Sequence, residues 1–458
     1  MSQGAESMSS RYIRNRDGLE YSNLHKLALD IVEHGLYAAD PYFAVLKSVK
    51  RAGKTIVVNG MNFEVYGSVH VIGFGKASKR MAMALYEVLG DLVAGGVVIS
   101  PEGSERIGPI DIVVGDHPIP GKNTLEASQR LLRYLDEAVH RHDIVFVLIS
   151  GGGSALFEIP ADEITLEELG MLTRELMKRG ADIVELNAVR KHLSLVKGGK
   201  LLHFIKAEKV ISLIVSDVVG DRLDTIASGP TASDETTFFD AYEVLKRYGL
   251  WDSAPSSIRQ YIERGMRGEV PETLKQGDKL LEKVTNIIIA SNRISLEAMA
   301  SKAKESGFNP LILSPYIEGE ARHVGKVLGA IIKSVKELGH PIPPPAAILA
   351  GGETTVTVRG SGIGGRNQEL CLSLAMTIEG LGNVVAVCIG SDGIDGTSPA
   401  AGAIVDGYVV KQAREQGLDP LAYLENNDSY TFFNKLRRAI ITGYTGTNVN
   451  DLFVALVC

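Results

Sequence analysis

Cysteine is scarce in this chain, and its few copies lack the spacing of a structural framework. Cys371, Cys388 and Cys458 form no C-x-x-C pair, and an odd number leaves one thiol over in any disulfide pairing. This usage argues against a disulfide scaffold and against a cysteine zinc site, and it is typical of a reducing compartment. We therefore expect a cytoplasmic protein.

Long hydrophobic runs are also missing. The most apolar segments, such as IVFVLIS and VISLIVS, have the length of a buried strand and fall far short of a membrane span. The first residues, MSQGAESMSS, are polar and contain no apolar core of a secretory signal. The sequence predicts no membrane partner.

Neither sign of charge dominates. The 48 basic and 55 acidic residues give a net charge of −7 and form no long run of one sign, which argues against nucleic acid as a partner. The length of 458 residues exceeds what one hydrophobic core usually serves, so two domains are expected.

Strand-like and helix-like segments alternate along most of the chain, which predicts an α/β protein built on a doubly wound parallel sheet. A charged helical pattern interrupted by proline and glycine over residues 238–283 suggests a boundary. We predict an N-terminal extension over 1–21, a first domain over 22–283 and a second, mixed α/β domain over 284–458.

The first candidate anion site follows the apolar segment VHVI. Gly73, Gly75 and Lys76 stand between this predicted strand and a helix, where free N–H groups can hold an anion. The turn lacks the third glycine of G-x-G-x-x-G, and the acid expected after the next strand falls on Ser100, so a dinucleotide site is not favoured. Lys76 either neutralises phosphate oxygens or is a solvated lysine on a first helical turn.

A second glycine turn follows the most apolar strand. Gly151, Gly152, Gly153 and Ser154 could curl the backbone into a nest for an anion, and the alternative is a flexible turn. No G-x-S-x-G elbow is present, so a serine hydrolase is not supported. A basic segment over 187–192 could face an acidic ligand or water, and the sequence favours neither.

Two acidic clusters follow predicted strands in the two halves. Asp217, Asp221 and Asp224 follow ISLIV, and Asp392 and Asp395 follow VVAVCIGS. Carboxylates at strand ends are ligands suited to Mg²⁺ that bridges phosphates. The same residues could instead cap helices or hold turns.

The segment 346–370 combines an apolar strand, two glycine turns, Glu353 and a helix that starts at Arg366. Its glycine turns predict close anion contacts, and Arg366 supplies a cationic fork for a carboxylate or phosphate. The alternative is a tight hairpin with a surface arginine. Asn448 lies in a small-residue turn near the C-terminus and is a poor signal alone. Together these features suit phosphoryl transfer, in which a protein mainly positions groups and neutralises charge.

These motifs together resemble the class II glycerate kinases, the two-domain family whose C-terminal part is called the MOFRL domain. The resemblance is carried in one order by GFGKAS at 73–78, DHPIPG at 116–121, LISGGGSAL at 148–156, NAVRKHLSLVKGGKL at 187–201, SDVVGDRLDTIASGPT at 216–231, AGGETTV at 350–356, GGRNQEL at 364–370, SDGIDGT at 391–397 and TGTNVNDL at 445–452. It implies ATP- and Mg²⁺-dependent phosphorylation of D-glycerate, with 2-phosphoglycerate as product. It also implies a Rossmann-like N-terminal domain, a mixed α/β C-terminal domain and an active site in the cleft between them.

The resemblance also implies a set of site residues. The family's active-site lysine and arginine match Lys76 and Arg366, and further polar residues match Asp217, Glu353, Asp392 and Asn448. We hypothesise that Lys76 neutralises the transferring phosphoryl group, and that Arg366 holds the glycerate carboxylate or clamps the transition state. Asp217 and Asp392 would hold Mg²⁺ or accept the hydroxyl proton, and the glycine turns at 73–75 and 151–154 would cradle the nucleotide phosphates.

Two other functions remain as alternatives. Some members of the family carry the label hydroxypyruvate reductase, an NAD(P)H-dependent activity that the incomplete dinucleotide fingerprint does not support. The other is a non-catalytic phosphosugar-binding module, since GFGKAS is similar to the G-x-G-x-S turn of sugar-isomerase domains. The sequence leaves the oligomeric state open, a homo-oligomer included.

Overall fold

The computed structural model describes residues 12–458, which divide into two compact units. One unit is Pro41–Ile289, and the other combines residues 12–40 with Ala290–Cys458. In the part of the chain that the structure describes, no helix is long and apolar enough to span a membrane.

The strands are β1 (Val49–Ala52), β2 (Thr55–Val58), β3 (Met61–Glu64), β4 (Val69–Phe74), β5 (Val93–Ser100), β6 (Arg106–Ile107), β7 (Ile110–Val114), β8 (Ile144–Ile149), β9 (Lys209–Val215), β10 (Val284–Ala290), β11 (Asn309–Glu320), β12 (Ala346–Thr355), β13 (Val384–Gly390), β14 (Gly402–Asp406), β15 (Ala439–Ile440) and β16 (Asp451–Val457). The α-helices are α1 (Asn23–Ala39), α2 (Pro41–Ser48), α3 (Ser78–Leu89), α4 (Lys122–Ala138), α5 (Gly153–Leu156), α6 (Leu166–Lys178), α7 (Ile183–His192), α8 (Phe238–Arg247), α9 (Ser256–Met266), α10 (Asn292–Glu305), α11 (Ala321–Leu338), α12 (Arg366–Thr377), α13 (Val409–Glu415), α14 (Pro420–Glu425) and α15 (Ser429–Lys435).

The unit Pro41–Ile289 is built on a seven-stranded sheet with the order β10-β9-β8-β4-β5-β7-β6. Strands β7, β5, β4, β8 and β9 are parallel, and β6 pairs antiparallel with β7. Helix α4 packs on one face of this sheet, where Leu131 and Leu135 join Ile72 and Phe74 in one core cluster. The predicted doubly wound parallel sheet is thus confirmed.

The order of these strands defines where a ligand is expected in this unit. After β4 the chain moves outward through β5 and β7, and it then returns to the other side of β4 with β8 and β9. In open α/β sheets, ligands bind outside the carboxyl ends of strands at such a reversal. The turns that follow β4 and β8, which contain Gly75 and Gly151–Gly153, lie at this point.

The other unit is built on a six-stranded mixed sheet with the order β11-β12-β16-β13-β14-β15, in which only the β11–β12 pair is parallel. Alternate residues of β12 enter two different cores: Ile348 and Ala350 pack with α11 and α12, whereas Ala347 and Leu349 pack with α1 and α10. Helices therefore cover both faces. Because β16 is antiparallel to its neighbours, its first residue, Asp451, pairs with Gly352 and Gly390 near the carboxyl ends of β12 and β13.

The N-terminal segment departs from the predicted domain boundaries. Residues 1–11 of the predicted extension lie outside the described residues, but Ile13 and Leu19 are buried in the core that α1 shares with β16 and α10. Gly35 permits the close approach of α1 to α10, since a Cβ there would lie 2.7 Å from the Met299 sulfur. Residues 12–40 therefore belong with Ala290–Cys458, and the first unit covers 41–289 in place of the predicted 22–283.

Candidate active site

The turn after β4 is fixed by the turn after β8. The Lys76 N–H donates to the Gly151 carbonyl at 2.9 Å, and the Ala77 N–H donates to Ser150 Oγ at 3.0 Å. Gly75 has a φ of +126°, and a Cβ on it would lie 2.5 Å from the Ser150 carbonyl oxygen, so only glycine fits there. Gly73 lies earlier than predicted, buried inside β4 between β5 and β8. Its role is close packing of strands, because a Cβ would lie 2.9 Å from the Leu148 carbonyl oxygen.

Three side chains converge on the bare backbone of the second glycine turn. A Cβ on Gly151 would lie 2.1 Å from Asp217 Oδ2, and one on Gly152 would lie 3.0 Å from His117 Nε2 and 3.3 Å from Lys76 Cγ. Burial, together with the nearby Lys76 charge, lowers the pKa of His117. The fold thus brings together the predicted Lys76, Gly151, Gly152 and Asp217, and adds His117.

The backbone donors of this turn are in part available to a ligand. Gly153 donates to the Ser150 carbonyl at 3.1 Å, whereas within residues 12–458 the Gly151 and Gly152 N–H groups have no hydrogen-bond acceptor. Both glycines are half-buried, and Lys76 beside them is exposed. Adjacent free N–H groups next to a lysine are suited to an anion.

A buried basic network holds the same turn from the protein interior. The Ser154 carbonyl accepts from Arg190 Nη2 at 3.1 Å and from Lys197 Nζ at 3.0 Å. Lys197 also lies 3.0 Å from Glu158, and burial lowers the pKa of Lys197 to about 8. Ser154 Oγ lies 2.8 Å from Ser228 Oγ, so the side chain of this predicted phosphate-binding residue is hydrogen-bonded within the protein. The basic segment 187–192 therefore supports the turn through Arg190, an outcome that neither sequence-based alternative described.

In the second unit, polar side chains surround Arg366, the first residue of α12. Arg366 Nη1 donates to Glu353 Oε1 at 2.7 Å, and Arg366 Nε lies 3.0 and 2.9 Å from the two oxygens of Asp451. Asn367 Nδ2 donates to Asp451 at 2.8 Å. Burial raises the pKa of Asp451 to about 7, although Arg366 and Asn367 favour its ionised form.

A cavity of about 600 Å³ opens beside this arrangement. Its lining includes Thr354, Gly364, Gly365, Arg366, Asn367, Asp392, Asp395, Thr397, Asn427 and Asp451. Arg366 and Asp392 thus reach one cavity, whereas Glu353 and Asn448 are not part of its lining. Asn448 Oδ1 accepts the Asn450 N–H at 3.0 Å, and the Thr445 N–H donates to the Asp392 carbonyl at 3.1 Å. Asn448 therefore shapes the loop that abuts Asp392.

Only part of each acidic cluster is suited to metal. Asp395 is buried and accepts the N–H groups of Asn367 at 3.0 Å and Gln368 at 2.8 Å, so it caps α12, and burial raises its pKa. Asp224 is paired with Arg222 at 2.8 Å. No group of three or more His, Cys, Asp or Glu side chains in the described chain could hold a metal ion. Of the half-buried carboxylates that remain, Asp217 lies against the Gly151 turn and Asp392 lines the cavity beside Arg366, so these two are the candidates.

Residues 359–363 of the glycine segment that precedes Arg366 do not offer their backbone to a ligand, contrary to expectation. The N–H groups of Arg359 and Gly360 both donate to Asn427 Oδ1, at 2.7 and 3.0 Å, and the Ile363 N–H donates to Asp428 at 3.0 Å. A Cβ on Gly362 would lie 2.3 Å from the Asp428 Cβ. Gly360, Gly362 and Gly364 are required by tight packing against residues 426–429, whereas Gly365 lies against Asp395 and lines the cavity.

Two site residues, Asp451 and His117, were not predicted. Asp451 precedes the apolar run LFVALV, so in the sequence it looks like the polar residue that starts a strand. His117 lies in DHPIPG, where turn formation explains the residues equally well. Nothing local links either residue to its partners; only the sheet pairing of β16 and the approach of the β8 turn do so.

Comparison with known proteins agrees with this architecture. Residues 27–263 match a family model described as a domain of unknown function (DUF4147), and residues 346–451 match the MOFRL family. A glycerate 2-kinase from Pyrococcus horikoshii is 45% identical over 95% of this chain and 98% of its own length. A putative hydroxypyruvate reductase from Agrobacterium vitis is 39% identical over 88% of this chain and 90% of its own. The crystal structure of a glycerate kinase from Thermotoga maritima superposes with a TM-score of 0.84 at 41% identity, covering 94% of this chain and 99% of that one. By identity, coverage and fold, the chain belongs to the class II glycerate kinase family, whose members carry a MOFRL domain.

Proposed function

We propose that this protein is an ATP-dependent glycerate 2-kinase that transfers the γ-phosphoryl group of ATP to D-glycerate and gives 2-phosphoglycerate. The observation that carries the proposal is Arg366, held by Glu353 and Asp451 and lining a cavity of about 600 Å³. The name glycerate 2-kinase of the relative that shares 45% identity supports the same reaction.

Arg366 is proposed to recognise the carboxylate of D-glycerate. Its guanidinium is always charged and presents a planar fork that matches a carboxylate. Two anchored edges remove most of the rotamer freedom that a free arginine would lose on binding. A small, singly charged hydroxy acid is therefore the substrate class that this residue fits.

Lys76 and the turn at Gly151–Gly152 are proposed to bind the phosphoryl group in transfer. Charge on the equatorial oxygens has to be neutralised in such a transition state, and the protein does this by positioned donors and cations. The free N–H groups of Gly151 and Gly152 and the exposed ammonium of Lys76 supply both kinds of group. Gly153 and Ser154 complete the turn, and Gly75 allows it to form.

Asp217 and Asp392 are proposed to hold Mg²⁺ or to accept the proton of the attacking hydroxyl. Mg²⁺ is usually bound through one or two carboxylates and substrate phosphates, and single half-buried carboxylates fit that mode better than a closed protein cage. When bound with the nucleotide, Mg²⁺ neutralises charge on the phosphate oxygens. Asn448 orders the loop beside Asp392, and Glu353 orients Arg366.

A cytoplasmic location is part of the proposal. All three cysteines are free thiols, and Cys371 and Cys388 are buried. Buried thiols without disulfides are typical of a reducing compartment.

The function is tested by incubating purified protein with ATP, Mg²⁺ and D-glycerate and measuring ADP release. We expect ADP only when all three are present, and we expect EDTA to abolish it. Asp217→Asn should reduce the rate strongly, whereas Asp221→Asn is the matched control, because Asp221 lies four residues on and its φ of +54° suits asparagine. No ADP release, with NADH-dependent reduction of hydroxypyruvate in its place, would refute the proposal.

A further inference from the structure

The Nε edge of Arg366 is occupied by a carboxylate that lies in the TGTNVNDL motif but was not among the predicted site residues. Asp451, the first residue of β16, places both oxygens within 3.0 Å of Arg366 Nε. Two further donors fix this carboxylate: Asn367 Nδ2 at 2.8 Å and the Thr354 N–H at 3.4 Å. Asp451 therefore forms hydrogen bonds to β12 and to the first turn of α12.

We propose that Asp451 is a positioning residue of the kinase site, which anchors the Nε edge of Arg366 and so fixes how the rest of the guanidinium is presented to the cavity. The inference rests on the proposed function of Arg366 as the carboxylate-binding residue. Asp451 does not itself need to touch glycerate; it acts through Arg366.

Burial distinguishes Asp451 from the other partner of Arg366. The Glu353 side chain is 45% exposed, whereas that of Asp451 is 12% exposed. An exposed ion pair is screened by water and contributes little, but breaking a buried pair leaves an uncompensated charge. Asp451 is therefore the dominant anchor, and Glu353 a weaker one.

The backbone of Arg366 is fixed by the same part of the structure. Asp395 accepts the N–H groups of Asn367 and Gln368 and so pins the start of α12. The Asn367 side chain connects the two carboxylates, since Nδ2 lies 2.8 Å from Asp451 and 3.3 Å from Asp395. With main chain and side chain both held, the guanidinium has one direction in which to project.

The protonation state of Asp451 couples this anchor to pH. The charged or titratable groups that face Asp451 are Arg366, Asp395 and Cys388, and burial raises the pKa of Asp451 to about 7. A charge-assisted hydrogen bond to Nε needs the ionised carboxylate. As pH falls below about 7, the anchor weakens, so kcat/KM for D-glycerate should decline on that side.

Kinetics of Asp451→Asn test the proposal. We expect KM for D-glycerate to rise by about 10- to 100-fold, the scale of a misplaced binding group, with a smaller change in kcat and little in KM for ATP. The acid limb of kcat/KM near pH 7 should disappear. Asp406→Asn is the matched control, because Asp406 is also buried and accepts from an arginine, Arg438, at 3.1 Å in the same unit. This control should retain wild-type KM and the acid limb.

A double-mutant cycle separates positioning from general support. If Asp451 acts through Arg366, Asp451→Asn should cause no further loss of kcat/KM in an Arg366→Ala background. An equal loss in both backgrounds would overturn the proposal, as would wild-type KM for Asp451→Asn alone.

A measurement without turnover keeps this inference separate from the kinase proposal. In protein with ¹⁵N-labelled arginine, the Arg366 Nε–H resonance, assigned by its absence from Arg366→Lys, should be protected from exchange. Protection should fall as pH is lowered through about 7, be lost in Asp451→Asn and persist in Asp406→Asn. Absent wild-type turnover would refute the kinase function alone. A resonance that is unaffected by pH and by Asp451→Asn would overturn the positioning role alone.

Discussion

Glu353 and Arg366 form an ion pair across the loop that separates them, with Glu353 Oε1 2.7 Å from Arg366 Nη1. The two residues lie 13 positions apart, one near the end of β12 and the other at the start of α12. The glycine-rich segment between them is packed against residues 426–429, which returns the chain to the same side of the sheet. The glycines thus serve to bring these two residues together.

Removing the charge of Glu353 should have a small effect. Because its side chain is 45% exposed, the pair is screened, and exposed pairs contribute about 0.2–1 kcal/mol, or roughly fivefold at most. Glu353→Gln is therefore expected to change kcat/KM for D-glycerate by no more than about fivefold. Glu318→Gln is the control, since Glu318 pairs with Glu353 in the sheet register but is exposed. A loss of 100-fold for Glu353→Gln would mean that Glu353 touches the reactants.

Lys76 should be required for turnover. Removing one preorganised group that stabilises transition-state charge typically costs 10²- to 10³-fold in kcat, and we expect about that loss for Lys76→Ala. Lys79 lies on the first turn of α3, just after Lys76, and is paired with Glu105. Lys79→Ala should therefore retain activity. Steady-state ADP release measures both variants, and near-wild-type kcat for Lys76→Ala would exclude the assigned role.

Gly365 should tolerate no side chain. A Cβ there would lie 2.3 Å from the Asp395 carbonyl carbon and 2.4 Å from its Cγ, so Gly365→Ala has to displace the residue that caps α12. We expect a loss of about 1–3 kcal/mol in stability, seen as a lower thermal midpoint. Gly18→Ala is the comparison, because nothing lies within 4 Å of a Cβ at that position. Equal midpoints for the two variants would show that the site relaxes freely.

Glu272 should stabilise the Pro41–Ile289 unit in its ionised form, and this stabilisation should be lost in acid. Burial opposes ionisation of Glu272, but His192, 2.6 Å away, and the Thr273 N–H lower its pKa from 4.5 to about 2. Since the pKa is depressed on folding, the stabilisation is present above about pH 4.5 and is lost as pH falls toward 2. Glu272→Gln should therefore lower the thermal midpoint at pH 5, and less at pH 3.

Glu269→Gln provides the control for that series. Glu269 pairs with Arg267 on the surface, where the ion pair is screened, so its replacement should leave the midpoint nearly unchanged at each pH. A Glu272→Gln effect that grows toward pH 3 would contradict the sign of the shift.

Features encoded by short stretches of sequence were predictable. The parallel sheet follows from apolar runs that alternate with helical patterns, and the β2–β3 hairpin forms around Asn59 and Gly60, both with positive φ, as their sequence indicates. The turn after β8 was likewise recognisable from three glycines that follow a buried strand. In each case the residues that determine the structure are neighbours in the chain.

Features that depend on distant pairing were not predictable. Helix α1 has an amphipathic pattern that fits any apolar surface, and only its packing on α10 and β16 assigns it to the second unit. Asp451 reaches Arg366 because β16 lies between β12 and β13, an order that no local pattern specifies. The basic segment 187–192 could not be interpreted because its partner, the Ser154 carbonyl, is a backbone group.

The product of the reaction is the most direct test of the proposed glycerate 2-kinase activity. Protein incubated with ATP, Mg²⁺ and D-glycerate should, by phosphorus NMR, give ADP and 2-phosphoglycerate in equal amounts, and Arg366→Ala should give neither at a comparable rate. Consumption of NADH with hydroxypyruvate and no phosphoglycerate from ATP, or phosphorylation at the 3-hydroxyl, would show that the protein is not a glycerate 2-kinase.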